Sequence, residues 1–272
     1  PLNHFLPSTK AFSIATAGCN LACMNCQNWQ ISQVSPKETR NYNLMPDEVI
    51  KMALEYNCES IAYTYSEPIT FFEYMRDTSS QAKSAGIKNV MVSNGFINKD
   101  PCRKLATFVD AANIDLKAFR DDIYLRLTGG SLDPVLQTLR ILKENNVWLE
   151  ITNLIVPSWT DDPGMIKNMC KWLSNNGFED TPIHFSRFHP QHKLTSLPAT
   201  PISKLNYAYK IAKDSGLNFV YIGNVPGNNA SDTICPNCGN KLIERTGFRI
   251  TVNNIVNNEC KICGNVIPGV WN

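Results

Sequence analysis

Short apolar runs alternate with helical patterns along most of this 272-residue chain, and that alternation restricts its fold more than any other feature. AFSIAT (11–16), SIAYTY (60–65), NVMVSN (89–94), AANIDL (111–116), VWLEITNLIV (147–156) and IHFSRF (183–188) read as strands, with NFVYIGN (218–224) a candidate seventh. PDEVIKMALEYN (46–57) opens on Pro46 and acidic residues, which suit a helix start. ITFFEYMRDTSSQAKSAG runs helically to a stop at Gly86, and PCRKLATFV reads as a shorter helix. Val135, Leu139 and Leu142 share one face of LDPVLQTLRILKENN, while Ile166, Met169, Cys170 and Leu173 form a core-facing stripe in DPGMIKNMCKWLSNNG. PISKLNYAYKIAKDSG is the last helix of the series. The nearly continuous apolar character of VWLEITNLIV suits a strand covered on both faces. Six or seven βα units in a row predict a parallel sheet with helices outside it, as a barrel or an open sheet.

No G-x-G-x-x-G follows the first strand, which weakens a dinucleotide-binding reading. The loop there is GCNLACMNCQNW, with Cys19, Cys23 and Cys26 in C-x₃-C-x₂-C spacing. These are three of ten cysteines; Cys235, Cys238, Cys260 and Cys263 form two C-x-x-C pairs, and Cys58, Cys102 and Cys170 are scattered. A disulfide scaffold suits short chains without a core, whereas this chain is long and 43% hydrophobic. Metal ligation in a reducing cytoplasm is the better reading. The net charge is +2 with no dense Lys/Arg run, which argues against a nucleic-acid partner. No apolar run approaches the ~20 residues of a membrane span, and no signal-peptide pattern opens the chain. PLNHFLPSTK starts on Pro1 rather than Met and reads as the interior of a longer sequence, so a preceding segment is expected.

Three thiols in one loop make an incomplete structural zinc site, which takes four protein ligands. Iron–sulfur clusters also use Cys thiolates, usually four. A cubane on three would keep one iron open to a small chelating molecule, and the carboxyl end of a strand is where α/β proteins gather such sites. A zinc site completed by a distant His or Cys, or three buried structural thiols, stay open at this level.

C-x₃-C-x₂-C after the first strand of a βα series resembles the radical S-adenosylmethionine superfamily. The resemblance implies a 4Fe–4S cluster on Cys19, Cys23 and Cys26, with S-adenosylmethionine chelating the open iron and cleaved to methionine and a 5′-deoxyadenosyl radical. Asn25 departs from the aromatic residue the superfamily often carries before the third Cys. By the same resemblance, Ser66 and Glu67 of YSEP (65–68) face the cofactor's amino group. Glu67 is equally well placed as an acid at a helix N-terminus, because Pro68 follows. SNGF (93–96), with Ser93 and Asn94, matches a ribose-contacting element and also reads as an ordinary Asn-Gly turn. DLK (115–117) resembles pyruvate formate-lyase activating enzymes, where Asp115 and Lys117 would contact the methionyl part. A solvated ion pair is the plainer reading. Asn153 needs a partner, either the cofactor or a neighbouring strand. His189 in RFHP (187–190) matches a histidine near the ribose, although a lone His beside Pro is commonly a surface residue.

HFLPSTKAFSIATAGCN, CQNWQISQ, NIDLKAF, LTGGSLDPVLQTL, IGNVPG, CPNCG and PGVW extend the resemblance over essentially the whole chain, to the radical S-adenosylmethionine proteins of the AmmeMemoRadiSam system. Members of that subfamily usually carry an N-terminal Cys-containing segment, in line with the expected preceding one. CPNC (235–238) and CKIC (260–263), each followed by Gly, read as zinc knuckles. The hairpin-like GFRITVNNIVNNE lies in the gap between them. Four thiolates make a closed structural site, for zinc in preference to iron. The fold class is therefore α/β: a partial (β/α)6 TIM-like barrel over 1–228, then a four-cysteine zinc ribbon over 229–272. The function implied is hydrogen abstraction from an unidentified small-molecule or peptide substrate, with an electron donor such as flavodoxin or ferredoxin. Alternatives are an activase that installs a glycyl radical on a partner protein, and a non-catalytic metal-binding scaffold.

Overall fold

The computed structural model describes residues 2–227, 229–247 and 249–271. The expected domain boundary at residue 228, Phe248 of the hairpin stretch, and the end residues Pro1 and Asn272 lie outside these. Strands β1 (Ala11–Ile14), β2 (Ser60–Tyr63), β3 (Lys88–Ser93), β4 (Ala111–Asp115), β5 (Trp148–Ile155), β6 (Ile183–Arg187) and β7 (Val220–Gly223) form one sheet in strict chain order. Every pairing in it is parallel. The candidate seventh strand is therefore part of the sheet. β1 and β7 do not pair, so the barrel stays open along that seam.

Parallel neighbours need a crossover, and helices supply it: α2 (Pro46–Glu55), α3 (Phe72–Ser84), α4 (Lys99–Ala106), α6 (Leu132–Glu144), α7 (Pro163–Asn175) and α8 (Ile202–Asp214). Two further short helices flank the cysteine loop in space, α1 (Trp29–Ser32) and α5 (Asp121–Thr128). The main core lies between the helices and the outer face of the sheet, with Ile61, Ile114, Ile151 and Phe185 fully buried there. The other face of each strand lines the barrel interior, because side chains alternate. Along the register, Asp115, Thr152, His184 and Tyr221 form one interior row from β4 to β7.

The Cys-rich end folds as β8 (Thr233–Ile234), β9 (Lys241–Thr246) and β10 (Arg249–Asn253) in one antiparallel sheet. The pair β11 (Ile255–Val256) and β12 (Glu259–Cys260) follows. The expected hairpin thus divides: RITVN (249–253) joins the first sheet and IVNNE the second. This ribbon closes the barrel floor together with the first described residues. Phe5 bridges Val270, and Phe5, Ala62, Val90 and Ala111 pack as a small apolar plug. Above the plug sits a buried polar layer centred on Glu150, which accepts from the N–H groups of Asn3 and His4 and pairs with His184 at 2.6 Å. Arg245 of the ribbon donates to Asn3 O and Thr233 Oγ1 at 2.8 Å each. Among the described residues no helix is long and apolar enough to cross a membrane.

Candidate active site

A cavity of about 310 Å³ opens at the carboxyl ends of the strands, and Cys19, Cys23 and Cys26 all line it. The loop carrying them is strapped to α5. Ala22 N–H donates to Thr128 O and Met24 N–H to Leu127 O, both at 2.8 Å. These carbonyls belong to the last turn of the helix, where no intrahelical donor remains to meet them. Gly129 then ends α5 at φ +80°. At Gly130 a Cβ would lie 2.7 Å from Leu21 Cδ2, so the missing side chain lets the cysteine loop seat closely. Burial pushes the Cys19 thiol up to about 11 and raises Cys23 as well.

Asp115 ends β4, Lys117 follows two residues on, and the two pair at 2.9 Å, both lining the cavity with the thiols. Burial opposes the Lys117 charge, yet the Asp115 carboxylate and the Cys23 sulfur hold its pKa well above the usual value. Ser66 and Glu67 line the cavity too, at 7% and 3% exposure. Glu67 serves first as a brace: it accepts from Ser93 Oγ at 2.7 Å, Asn94 N–H at 2.8 Å and Ile69 N–H at 3.1 Å. Burial dominates its titration and lifts it to about 7 against those hydrogen bonds. Its contact with Ile69 N–H is the helix-start role anticipated for it, since Glu67 caps the turn Pro68–Phe71. Ser93 and Asn94 also line the cavity, with Ser93 Oγ engaged to Glu67.

Two expected residues lie elsewhere. Asn153 turns to the face opposite Thr152 and Leu154, which line the cavity, and its amide donates to Leu116 O at 2.6 Å. That bond runs to the residue following β4, while Asn153 Oδ1 is buried without a hydrogen-bond partner. His189 is exposed beyond the end of β6 and does not line the cavity. Conversely, Thr64, Asn113, Thr152, Ser186 and Asn224 do line it. Alternation counted back from Asp115 reaches Asn113, and strand register then reaches Thr152; single motifs carry no such signal.

The cavity suits a polar ligand. Asn25 Oδ1 and Ser66 Oγ are buried without a hydrogen-bond partner, although both residues sit on its wall. Such groups cost stability when left unmet, and a turn of the hydroxyl or amide would offer them to a bound molecule. The ribbon gathers a second set of thiols. Cys235, Cys238, Cys260 and Cys263 have sulfurs all within 4.8 Å of one another, with 3.7 Å between Cys235 and Cys263 and 3.8 Å between Cys238 and Cys260. A tetrahedron with metal–sulfur bonds of about 2.3 Å has edges of about 3.8 Å. The ribbon is thus a four-cysteine single-ion site by geometry.

The radical SAM superfamily model matches residues 13–173, more than half of the chain. The protein belongs to the radical S-adenosylmethionine superfamily. Membership implies a 4Fe–4S cluster and S-adenosylmethionine, and makes this radical SAM protein an enzyme of that type. It is 45% identical to an uncharacterised protein of Methanocaldococcus jannaschii, over 98% of this chain and 80% of that one. It is 32% identical to pyruvate formate-lyase 1-activating enzyme of Escherichia coli over 53% of this chain, a match that spans 61% of that enzyme's length. Among solved structures, SuiB of Streptococcus suis bound to S-adenosylmethionine superposes with a TM-score of 0.62 at 13% identity, over 80% of this chain and 51% of that one. A domain of pyruvate-formate lyase-activating enzyme from Bacteroides vulgatus gives 0.53 at 16% identity, over 60% and 98%. At these identities the structures speak to fold alone.

Proposed function

We propose that this radical SAM enzyme holds its cluster on Cys19, Cys23 and Cys26 and abstracts hydrogen from a substrate bound over the strand ends. The observation that carries the reading is the convergence of these thiols, the Asp115–Lys117 pair and the unpartnered Ser66 Oγ and Asn25 Oδ1 on one cavity. When bound, the cluster and S-adenosylmethionine supply an electron, C–S bond cleavage and the abstracting centre. The chain's own work is binding and orientation. Lys117, held by Asp115, offers its ammonium to an anionic carboxylate. Glu67 accepts three hydrogen bonds and keeps about one lone-pair site for an ammonium. Ser66 offers a hydroxyl beside it. Ser93 acts through Glu67 rather than directly. Asn113, Thr152, Ser186 and Asn224 supply uncharged polar groups where substrate would lie. In the ribbon the ion is zinc, a structural one, given four thiolates with no open position.

The test is anaerobic reconstitution with iron and sulfide, followed by S-adenosylmethionine and dithionite, with 5′-deoxyadenosine measured. Its formation by the wild type and its loss in Cys23→Ala support the assignment; retention in Cys23→Ala sinks it. A cluster that forms without turnover favours the scaffold alternative. The similarity to pyruvate formate-lyase 1-activating enzyme favours a second reading, in which the hydrogen comes from a partner protein. Deuterium carried from a labelled protein into 5′-deoxyadenosine would select it over a small-molecule substrate. In either case a one-electron donor such as flavodoxin or ferredoxin would serve the cluster.

A further inference from the structure

Asn94 is 4% exposed, and the orientation of its side-chain amide follows from its partners. Oδ1 accepts from the backbone N–H of Phe96 at 2.8 Å, a group that can only donate. The amide nitrogen therefore points the other way, donating to Asn20 Oδ1 at 2.8 Å and to Cys19 Sγ at 3.6 Å. A flipped amide would oppose two donors at Phe96 and forfeit both other bonds. The backbone is pinned as well. Asn94 N–H donates to Glu67 Oε2, and Gly95 follows at φ +67°, where a Cβ would lie 2.8 Å from Ile114 Cγ2. Cys19 Sγ takes a further donor, Leu21 N–H, at 3.4 Å.

We propose that Asn94 is a positioning residue that raises the reduction potential of the cluster by donating an N–H···S bond to Cys19. An N–H directed at a thiolate ligand withdraws electron density and favours the reduced, more negative cluster, one of the levers by which proteins set such potentials. The reason to place the amide there is the fixed triad of Phe96 N–H, Asn20 Oδ1 and Cys19 Sγ. That role differs from the ribose contact that resemblance implies for SNGF, and the two predict different losses. The inference rests on the cluster reading of Cys19, Cys23 and Cys26.

The experiment is a redox titration of the reconstituted full chain, followed by electron paramagnetic resonance without S-adenosylmethionine, beside the iron content and the affinity for S-adenosylmethionine. Asn94→Asp keeps an acceptor for Phe96 N–H but removes the donor; Asn94→Ala removes both. Each should retain iron while its midpoint moves to more negative potential. The reduced-to-oxidised ratio at the wild-type midpoint should fall roughly threefold or more, the scale of one weak hydrogen bond. Affinity for S-adenosylmethionine should be unchanged. A fully loaded variant with the wild-type midpoint, or one whose loss is confined to S-adenosylmethionine affinity, overturns the proposal. Should Asn94→Asp fail to hold iron, Asn94→Ala decides. A wild-type chain that assembles no cluster overturns the cluster reading itself, a result distinct from an unmoved midpoint.

Discussion

His4 has one hydrogen-bonding arrangement open to it while neutral. Its Nδ1 sits 2.7 Å from Pro268 O, which can only accept, so Nδ1 carries the proton and Nε2 accepts from the Tyr221 hydroxyl at 2.6 Å. Thr233 then donates to Tyr221, and Arg245 to Thr233, in one directional chain. Protonating Nε2 would set two donors against each other. Burial, countered in part by Glu150, holds His4 down at about 4. A base whose folded pKa lies below its unfolded value of 6.5 binds more protons when unfolded, so stability falls as pH drops from 6.5 toward about 4. From pH 7 to pH 5 this group should cost on the order of 2 kcal/mol. Because buried Glu67 and His184 titrate in the same window, the effect is read as the stability difference between wild type and His4→Gln in urea, which should change by about that amount between pH 7 and pH 5; a pH-independent difference would reassign it. At the other end of the barrel, Lys117→Met removes a cation beside the thiols and leaves Asp115 without its ion pair. S-Adenosylmethionine affinity should fall about tenfold or more, the worth of a charge-assisted bond, measured by binding to the reconstituted chain.

The βα alternation was legible because the apolar period changes between strand and helix, and every strand drawn from it lies within about two residues of its place in the structure. α5 was not. Asp121–Thr128 is only two turns long, and its burial falls on Ile123, Tyr124, Leu127 and Thr128, a stripe too short to register as a period. Its clues were the paired acids at its start and Gly129 at its end. Yet α5 is the element that straps the cysteine loop. The motif thus pointed to the three cysteines but not to what holds their loop. Glu67 shows a related limit, because a carboxylate before Pro68 looks the same whether it caps, braces or binds. The turn after β3 offers a test at this scale. Gly95→Ala adds a Cβ against Ile114 Cγ2 in a left-handed backbone. It should destabilise the fold by about 1–3 kcal/mol and reduce iron retention, read from denaturation and iron per chain.

Across the whole molecule, the strand-end site could be anticipated from spacing, whereas the floor could not. Its contacts join residues 146 and 147 positions apart at Glu150, 242 apart between Arg245 and Asn3, and 264 apart between His4 and Pro268. No local pattern encodes pairings over such separations. They also mean that the four-cysteine ribbon is built into the barrel rather than appended to it. Cys235 and Cys260 share a buried cluster with Phe219 and Tyr221 of the barrel side. Removing the ribbon's metal, by Cys238→Ser or a strong chelator, should therefore loosen the floor and cost at least ~2 kcal/mol. Hydrogen exchange should accelerate at Leu6 and Val270, whose N–H groups bond across it. Unchanged protection there would show the ribbon to be dispensable to the barrel.

The floor also bears on how the chain is made. Each of β2 to β7 pairs with a strand already synthesised, so the barrel wall can assemble as it leaves the ribosome. Arg245 and Val270 emerge only after all seven barrel strands. Until they arrive, Asn3 O beside the Glu150 layer lacks its Arg245 donor, and the apolar plug of Phe5, Ala62, Val90 and Ala111 lacks Val270 packed against it. A newly made chain starved of the ribbon's metal would linger in that state, a natural client for chaperones, whatever the supply of iron and sulfide at the opposite mouth.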